Sequence, residues 1–98
     1  MAIAAFYVVY IKRKPDVSYD AVKAKMDLAV DWYRIDETLW VLYTTSDAET
    51  WYGRLSPLVK DSGSVFICKL DITNRQGWMN EDFWSWIRRE KVTGRGDR

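Results

Sequence analysis

The side chains that could carry out chemistry in this chain are carboxylates, lysines, tyrosines and one cysteine, because the sequence contains no histidine. Without histidine there is no Ser–His or Cys–His nucleophile pair, no His-ligated zinc and no histidine general base. Asp36 and Glu37 are adjacent carboxylates, but they fall where the chain turns and we expect both to face water. Cys68 lies in an apolar run, where we expect a small buried hydrophobic residue. We therefore predict no catalytic residue, no metal and no cofactor.

A basic cluster follows the first apolar run of the sequence and consists of Lys12, Arg13 and Lys14. Clustered cations bind phosphates of nucleic acids even when the net charge of the protein is small, and here it is +1. The alternative is that these cations pair with Asp16 and with the Asp36–Glu37 turn, in surface ion pairs that contribute about 0–1 kcal/mol each. The C-terminal end is also basic, and both interpretations apply to it as well.

Tryptophan is unusually frequent in this chain, with six residues among 98. An exposed tryptophan can stack on a base or anchor a protein interface. We expect Trp40 and Trp51 to lie in the core, because each falls on an apolar face of a predicted element. Trp78, Trp84 and Trp86 are the residues that we predict for an interface.

Four strands and three helices must position these residues. Alternating apolar residues predict strands over 3–11, 31–35, 38–45 and 65–70. The strands over 3–11 and 38–45 are apolar on both faces, which is typical of strands inside a sheet that is covered on both sides.

Capping residues mark the beginnings of the predicted helices. Ser18 stands where an N-cap belongs, and the sequence from Ser46 to Glu49 fits a capping box in which Ser46 is the cap. Pro57 predicts that the second helix kinks or restarts near Ser56. Asn80 precedes a final short helix whose apolar residues cover a wide arc.

The order of these elements predicts an α+β fold, a ferredoxin-like βαββαβ antiparallel sheet with two helices on one face and an extra C-terminal helical segment. The strands that are apolar on both faces fall at the two central positions of that arrangement. We expect a single domain over residues 1–90 and a disordered, charged tail over 91–98.

The second face of such a sheet would carry several large apolar side chains that two helices cannot cover. A large exposed apolar patch is unusual on a monomer, so either the tryptophan-rich C-terminal segment or a second copy of the chain must cover it. We predict a homodimer with twofold symmetry, assembled face to face or edge to edge. The function that this favours is that of a non-catalytic interaction module.

The compartment is inferred from composition. A single cysteine cannot form an internal disulfide, and the reducing cytoplasm is the compartment that suits it. No apolar run approaches the length of a membrane span, and the N-terminal residues do not resemble a secretory signal. We expect a cytoplasmic protein that does not bind a membrane, and the sequence implies no small-molecule ligand.

The chain is similar to a group of small bacterial proteins called SinR-like, which belong with the ferredoxin-like endoribonucleases of the VapD toxin and CRISPR-adaptation type. The matching residues cover roughly positions 3–70 and are the aromatic first strand at 6–11, Lys14-Pro15, Trp32, the strand at 38–42, Ser46-Asp47-Ala48, Leu55 and Pro57, with Gly77-Trp78 as a looser match.

The resemblance implies a homodimer and, in catalytic members, an acidic residue at the end of the first strand that helps to hold a divalent metal. Where those members carry Tyr-Asp, this chain carries Tyr10-Ile11. Because Ile11 offers no oxygen ligand to Mg²⁺, the resemblance does not extend to the metal site. Nucleic-acid binding, or metal-dependent endoribonuclease activity, is therefore the alternative to the interaction module.

Overall fold

The computed structural model describes residues 3–89, and the tail predicted for 91–98 lies outside them. These residues form four strands, three α-helices and one 3₁₀ turn in the order β1 (Ala5–Lys12), α1 (Tyr19–Met26), β2 (Asp31–Arg34), β3 (Leu39–Thr44), α2 (Ala48–Leu55), the turn Ser56–Leu58, β4 (Ser64–Lys69) and α3 (Glu81–Ile87).

The four strands form one antiparallel sheet in the order β2-β3-β1-β4. The prediction of an α+β fold is confirmed, and so is the central position of the two strands whose sequences are apolar on both faces. Tyr7 lies opposite Leu42 of β3 and Lys69 of β4, which fixes the register of three strands. β2 and β4 are the edges of the sheet.

The helices begin at short polar caps. Ser18 caps α1 as predicted and accepts a hydrogen bond from the Ala21 amide at 3.2 Å. The cap of α2 is Asp47 rather than Ser46, because Asp47 is the residue in the extended conformation and its carboxylate accepts from the Thr50 amide at 2.9 Å. The helix therefore begins one residue later than a Ser46 cap would allow.

Pro57 ends α2 as the sequence predicts. The α-helix stops at Leu55 and continues into a 3₁₀ turn over Ser56–Leu58, with proline in its first turn. Proline lacks an amide donor and disrupts a regular α-helix, whereas it is tolerated at the beginning of a new turn.

One face of the sheet packs against α1 and α2. Val22 and Met26 of α1 and Trp51 and Leu55 of α2 are buried there, each at most 3% exposed. The sheet contributes Tyr7, Val9, Ile11, Trp32, Trp40 and Leu42 to this main core. Trp40 and Trp51 are both fully buried, which confirms their predicted position in the core.

On the opposite face, α3 of the same chain covers β2, β3 and the beginning of β1. Phe83, Trp86 and Ile87 pack on the sheet residues Phe6, Tyr33 and Val41. Aromatic rings meet there at angles of 48–81°, with centroid separations from 5.2 Å between Tyr33 and Phe83 to 5.7 Å between Tyr33 and Trp86. Of the two coverings that the sequence left open for this face, the structure contains the C-terminal segment.

A buried carboxylate joins α3 to β2. Asp31 is 1% exposed, and its Oδ2 accepts hydrogen bonds from Trp86 Nε1 at 2.9 Å and from the Arg89 guanidinium at 3.1 Å. Its Oδ1 accepts from the backbone amide of Trp32 at 2.8 Å. The Arg89 guanidinium also lies 4.3 Å from the centre of the Tyr43 ring, so Asp31 and Tyr43 together hold the end of α3 on the sheet.

Gly63 allows the chain to pass close to the end of β1. Its amide donates to the Val59 carbonyl at 2.7 Å, and a Cβ at this position would overlap the carbonyl oxygen of Lys12 and come within 2.9 Å of the Val59 Cα. The absence of a side chain therefore lets β4 begin directly beside Lys12.

Candidate functional site

The basic cluster of Lys12, Arg13 and Lys14 lies where β1 ends and the chain turns towards α1. Lys12 and Arg13 are exposed and Lys14 is half-buried. Arg13 Nε donates to the Val17 carbonyl at 2.8 Å, which fixes the guanidinium against the loop. Within residues 3–89, no carboxylate comes within 4.0 Å of a charged nitrogen of this cluster. The positive charges therefore face solvent.

Asp36 is occupied by its own turn instead of by the basic cluster. Its Oδ1 accepts from the Thr38 amide at 2.9 Å, from the Thr38 hydroxyl at 3.1 Å and from the Leu39 amide at 3.0 Å. The amide of Thr38, followed by the other turn donors and the charge of Arg34, lowers the pKa of Asp36 below its usual 3.8. The proposed pairing of the cluster with this carboxylate is not present in the structure.

We expect the pKa of Asp36 to be insensitive to the basic cluster. Changing Lys12, Arg13 and Lys14 together to glutamine should leave the pKa below 3.8, whereas Thr38→Val, which removes one donor, should raise it. Because the folded pKa is below the unfolded value, ionised Asp36 stabilises the fold above about pH 4, and this contribution is lost as the pH falls through the folded pKa. An NMR titration of the Asp36 carboxyl carbon measures this pKa in both variants. A rise towards 3.8 in the triple variant would show that the cluster does pair with Asp36.

A cleft of about 330 Å³ opens beside the basic cluster, between the end of β1, the N-terminal turn of α1 and the β2–β3 turn. Glu37, Thr38 and the half-buried Tyr19 also line it, with the fully buried Trp40. The rings of Tyr19 and Trp40 are stacked nearly parallel, at 22° and 6.0 Å between centroids. The cleft therefore combines cationic side chains with the aromatic ring of Tyr19.

The three tryptophans predicted for an interface occupy three different environments. Trp86 is fully buried in the chain's own core, so it cannot contact a partner, and that prediction is wrong because α3 uses the residue to seal the sheet. Trp84 is half-buried and donates to the Met79 carbonyl at 3.1 Å. Trp78 is 98% exposed, and its role at an interface stays a prediction.

The edge strand β4 carries apolar side chains that α3 does not cover. Phe66 is 63% exposed and lies opposite Tyr10 of β1, which is 38% exposed. Cys68 is exposed as well, which corrects its predicted burial: it lies on the face of β4 beyond the reach of α3. Sequence patterns do not single out Tyr10 and Phe66, although Lys69, the one charged residue of β4, suggests that this strand is partly exposed.

Acidic residues do not gather into a metal site in the part of the chain that is described. Over residues 3–89, no group of three or more histidine, cysteine, aspartate or glutamate residues could hold a metal ion. Ile11, where an acidic metal ligand would be expected if the resemblance drawn from the sequence held, is 2% exposed and packs in the main core. Its side chain completes the hydrophobic layer beneath α1 and α2.

None of the helices over residues 3–89 is long and apolar enough to cross a membrane. Comparison with protein-family models, with curated proteins and with solved structures gives no match to this chain.

Proposed function

We propose that this protein is a non-catalytic interaction module that forms a homodimer through β4. The observation that carries the proposal is that β4 is an edge strand with no paired strand on its outer side within residues 3–89, and that its largest side chain, Phe66, is 63% exposed. Because α3 covers the opposite face over β2 and β3, the apolar side chains left exposed on that face, Tyr10 and Phe66, lie towards the β4 edge. The edge-to-edge dimer is therefore the one that we propose.

Within residues 3–89, no strand pairs with the backbone groups along the outer side of β4, where the Lys69 carbonyl accepts only a long contact of 3.6 Å from the Cys68 thiol. The Leu70 amide donates to the Phe6 carbonyl of β1 at 2.8 Å. Because the N–H and C=O groups of alternate residues in a strand point to the same side, those of Phe66 and Cys68 also point towards β1. The N–H and C=O groups of Val65, Ile67 and Lys69 point away from the sheet. They match the same groups of a second, antiparallel β4, which is the pairing that twofold symmetry generates.

The two edges of the sheet differ in how they are protected. β2 has four residues, and its first residue, Asp31, is engaged by α3. β4 has six residues, of which only Lys69 is charged. Native proteins usually protect a strand of this kind with charges, proline or a covering element, because an open apolar edge pairs with other chains. A second β4 would provide that cover and would bury Phe66.

A substitution of Lys69 tests the dimer. Lys69→Pro removes an N–H that points outward, so the β1–β4 ladder is left intact, and we expect analytical ultracentrifugation to give the mass of one chain. The matched control Lys69→Thr removes the charge but keeps the N–H, and should stay dimeric like the parent chain. Phe66→Glu, which places two charges near the dyad, should also be monomeric. A parent chain that sediments as a monomer at micromolar concentration contradicts the proposal.

Nucleic-acid binding is the second candidate function, and it is favoured by the charges of Lys12, Arg13 and Lys14, none of which has an acidic partner among the described residues 3–89. Cations without an internal partner are free to neutralise phosphates, and such binding weakens steeply as salt rises. We expect low-salt binding of RNA or DNA that disappears when all three residues are changed to alanine. Absence of binding by the parent chain at low salt rejects this candidate.

We further propose that the domain is ferredoxin-like and related to the SinR-like group. The strand order β2-β3-β1-β4, with α1 between β1 and β2 and α2 between β3 and β4, supports the βαββαβ arrangement. The apolar side chain of Ile11 supports the proposal that this chain is a non-catalytic member of that group. We therefore expect that the purified protein does not cleave RNA in the presence of Mg²⁺ or Mn²⁺. Metal-dependent cleavage by the parent chain would favour the endoribonuclease alternative.

A further inference from the structure

We infer that the cleft beside the basic cluster is a binding site for a phosphate-bearing ligand. The inference is independent of the dimer, because the cleft is lined by residues of β1, α1 and the β2–β3 turn, while the proposed dimer uses the outer side of β4. Its volume of about 330 Å³ is within the range of small-molecule sites.

Trp40 is the residue that distinguishes this cleft from an ordinary surface depression. It is fully buried, it lines the cleft, and its indole Nε1 has no hydrogen-bond partner among the residues that the structure describes. A buried N–H without an acceptor is rare in native proteins, because the donor has lost its water and gained nothing in return.

The other tryptophans at least partly buried in the fold all have an acceptor, which makes Trp40 the exception. The donors and acceptors are Trp32 with the Asp27 carboxylate at 2.8 Å, Trp51 with the Thr44 hydroxyl at 3.1 Å, Trp84 with the Met79 carbonyl at 3.1 Å and Trp86 with the Asp31 carboxylate at 2.9 Å. A fold that satisfies these four indoles and leaves one unpaired beside a cleft indicates that the missing acceptor comes from a ligand.

The charges around the cleft identify the class of that ligand. Lys12, Arg13 and Lys14 all line it and none has an acidic partner within residues 3–89, while Glu37 is the one carboxylate in the lining. The excess of positive charge, together with a neutral N–H donor, suits an anionic group with several acceptor oxygens. Phosphate has this character, and an arginine or lysine is its usual partner.

The ring of Tyr19 gives the ligand a second, apolar contact. This ring is held in place by stacking on Trp40 and by the Arg34 guanidinium, 4.7 Å from its centre. The same phosphate chemistry can come from a free small molecule or from the terminal phosphate of a nucleic-acid strand. The two sources differ in the group attached to the phosphate, and separate probes distinguish them.

The indole N–H resonance of Trp40, assigned by its disappearance in Trp40→Phe, is the direct measurement. Three probes are titrated into the full chain: inorganic pyrophosphate, a short 5′-phosphorylated oligonucleotide, and the same oligonucleotide without the phosphate. We expect the phosphorylated probes to move this resonance. If pyrophosphate shifts the resonance more, the natural ligand is a free phosphate compound. If the phosphorylated oligonucleotide shifts it more, the ligand is the terminal phosphate of a nucleic-acid strand.

Two variants separate binding from folding. Trp40→Phe keeps an aromatic ring stacked against Tyr19 but removes the donor, and should weaken binding of the effective probe about tenfold, as expected for a hydrogen bond to a charged acceptor. Changing Lys12, Arg13 and Lys14 to glutamine alters exposed or half-buried positions and should abolish the shift while the other indole resonances stay in place. No shift with any probe, or an equal shift with the unphosphorylated strand, overturns the inference.

Discussion

Asp31→Ala is expected to lower the free energy of unfolding by about 3 kcal/mol, the lower end of the range for removal of one partner from a buried ion pair. The substitution leaves the Arg89 guanidinium and the Trp86 indole N–H without their acceptor in a site where the carboxylate is 1% exposed. The lower end applies because the Arg89 side chain retains 19% exposure and can recover some hydration. Urea unfolding followed by circular dichroism measures the change.

Two further variants show whether charge or hydrogen bonding is responsible. Asp31→Asn keeps an acceptor for Trp86 but loses the charge that faces Arg89. It should therefore lower the free energy of unfolding less than Asp31→Ala does. Arg89→Met removes the cation and leaves Asp31 with its hydrogen bonds from Trp32 and Trp86, so its cost should also be smaller. An alanine variant within about 0.5 kcal/mol of the parent chain, the usual range for surface substitutions, would show that Asp31 does not anchor α3.

Gly63→Ala is the second substitution with a large expected effect, a loss of about 1–3 kcal/mol typical of overpacking. The new Cβ would overlap the carbonyl oxygen of Lys12 and press on the Val59 Cα, and backbone atoms cannot rotate away as a side chain can. Relief requires the end of β1 to separate from the beginning of β4. The same unfolding experiment gives the size of the effect.

Gly53→Ala is the matched control for that substitution. Gly53 is exposed within α2, and a Cβ there meets no atom within 4 Å. Alanine should therefore stabilise the helix by about 0.5–1 kcal/mol, because glycine loses more conformational freedom on folding. If both variants destabilise the protein to the same degree, the close approach at Gly63 is not the cause.

More of the fold than of the site could be predicted from the sequence, because hydrophobic periodicity directly reflects which residues are buried. The two-sided apolar pattern of β1 and β3 placed both strands at the centre of the sheet, and Pro57 marked the end of α2. The capping residue was predicted wrongly: Ser46 and Asp47 are both good caps, and the choice between them depends on which residue the preceding strand leaves in an extended conformation.

The covering of the second sheet face could not be predicted from the sequence. An apolar arc on the last helix fits a partner chain as well as the helix's own sheet, and the contact that decides between them joins Asp31 to Trp86, which are 55 positions apart in the sequence. The exposure of Tyr10 and Phe66 could not be predicted for the same reason. Each sits on a strand whose alternate residues are apolar, and their exposure depends on how far α3 extends.

The two cores on opposite faces of one sheet imply an order of assembly. The main core needs only residues as far as β4, whereas the α3 core requires residues up to Arg89 to have been synthesised. We therefore expect α3 to behave as a separate cooperative unit, which opens while the rest of the domain stays folded. Amide hydrogens of α3 should then exchange with solvent sooner than those of β1 and β3, and the aromatic face beneath α3 should become transiently accessible.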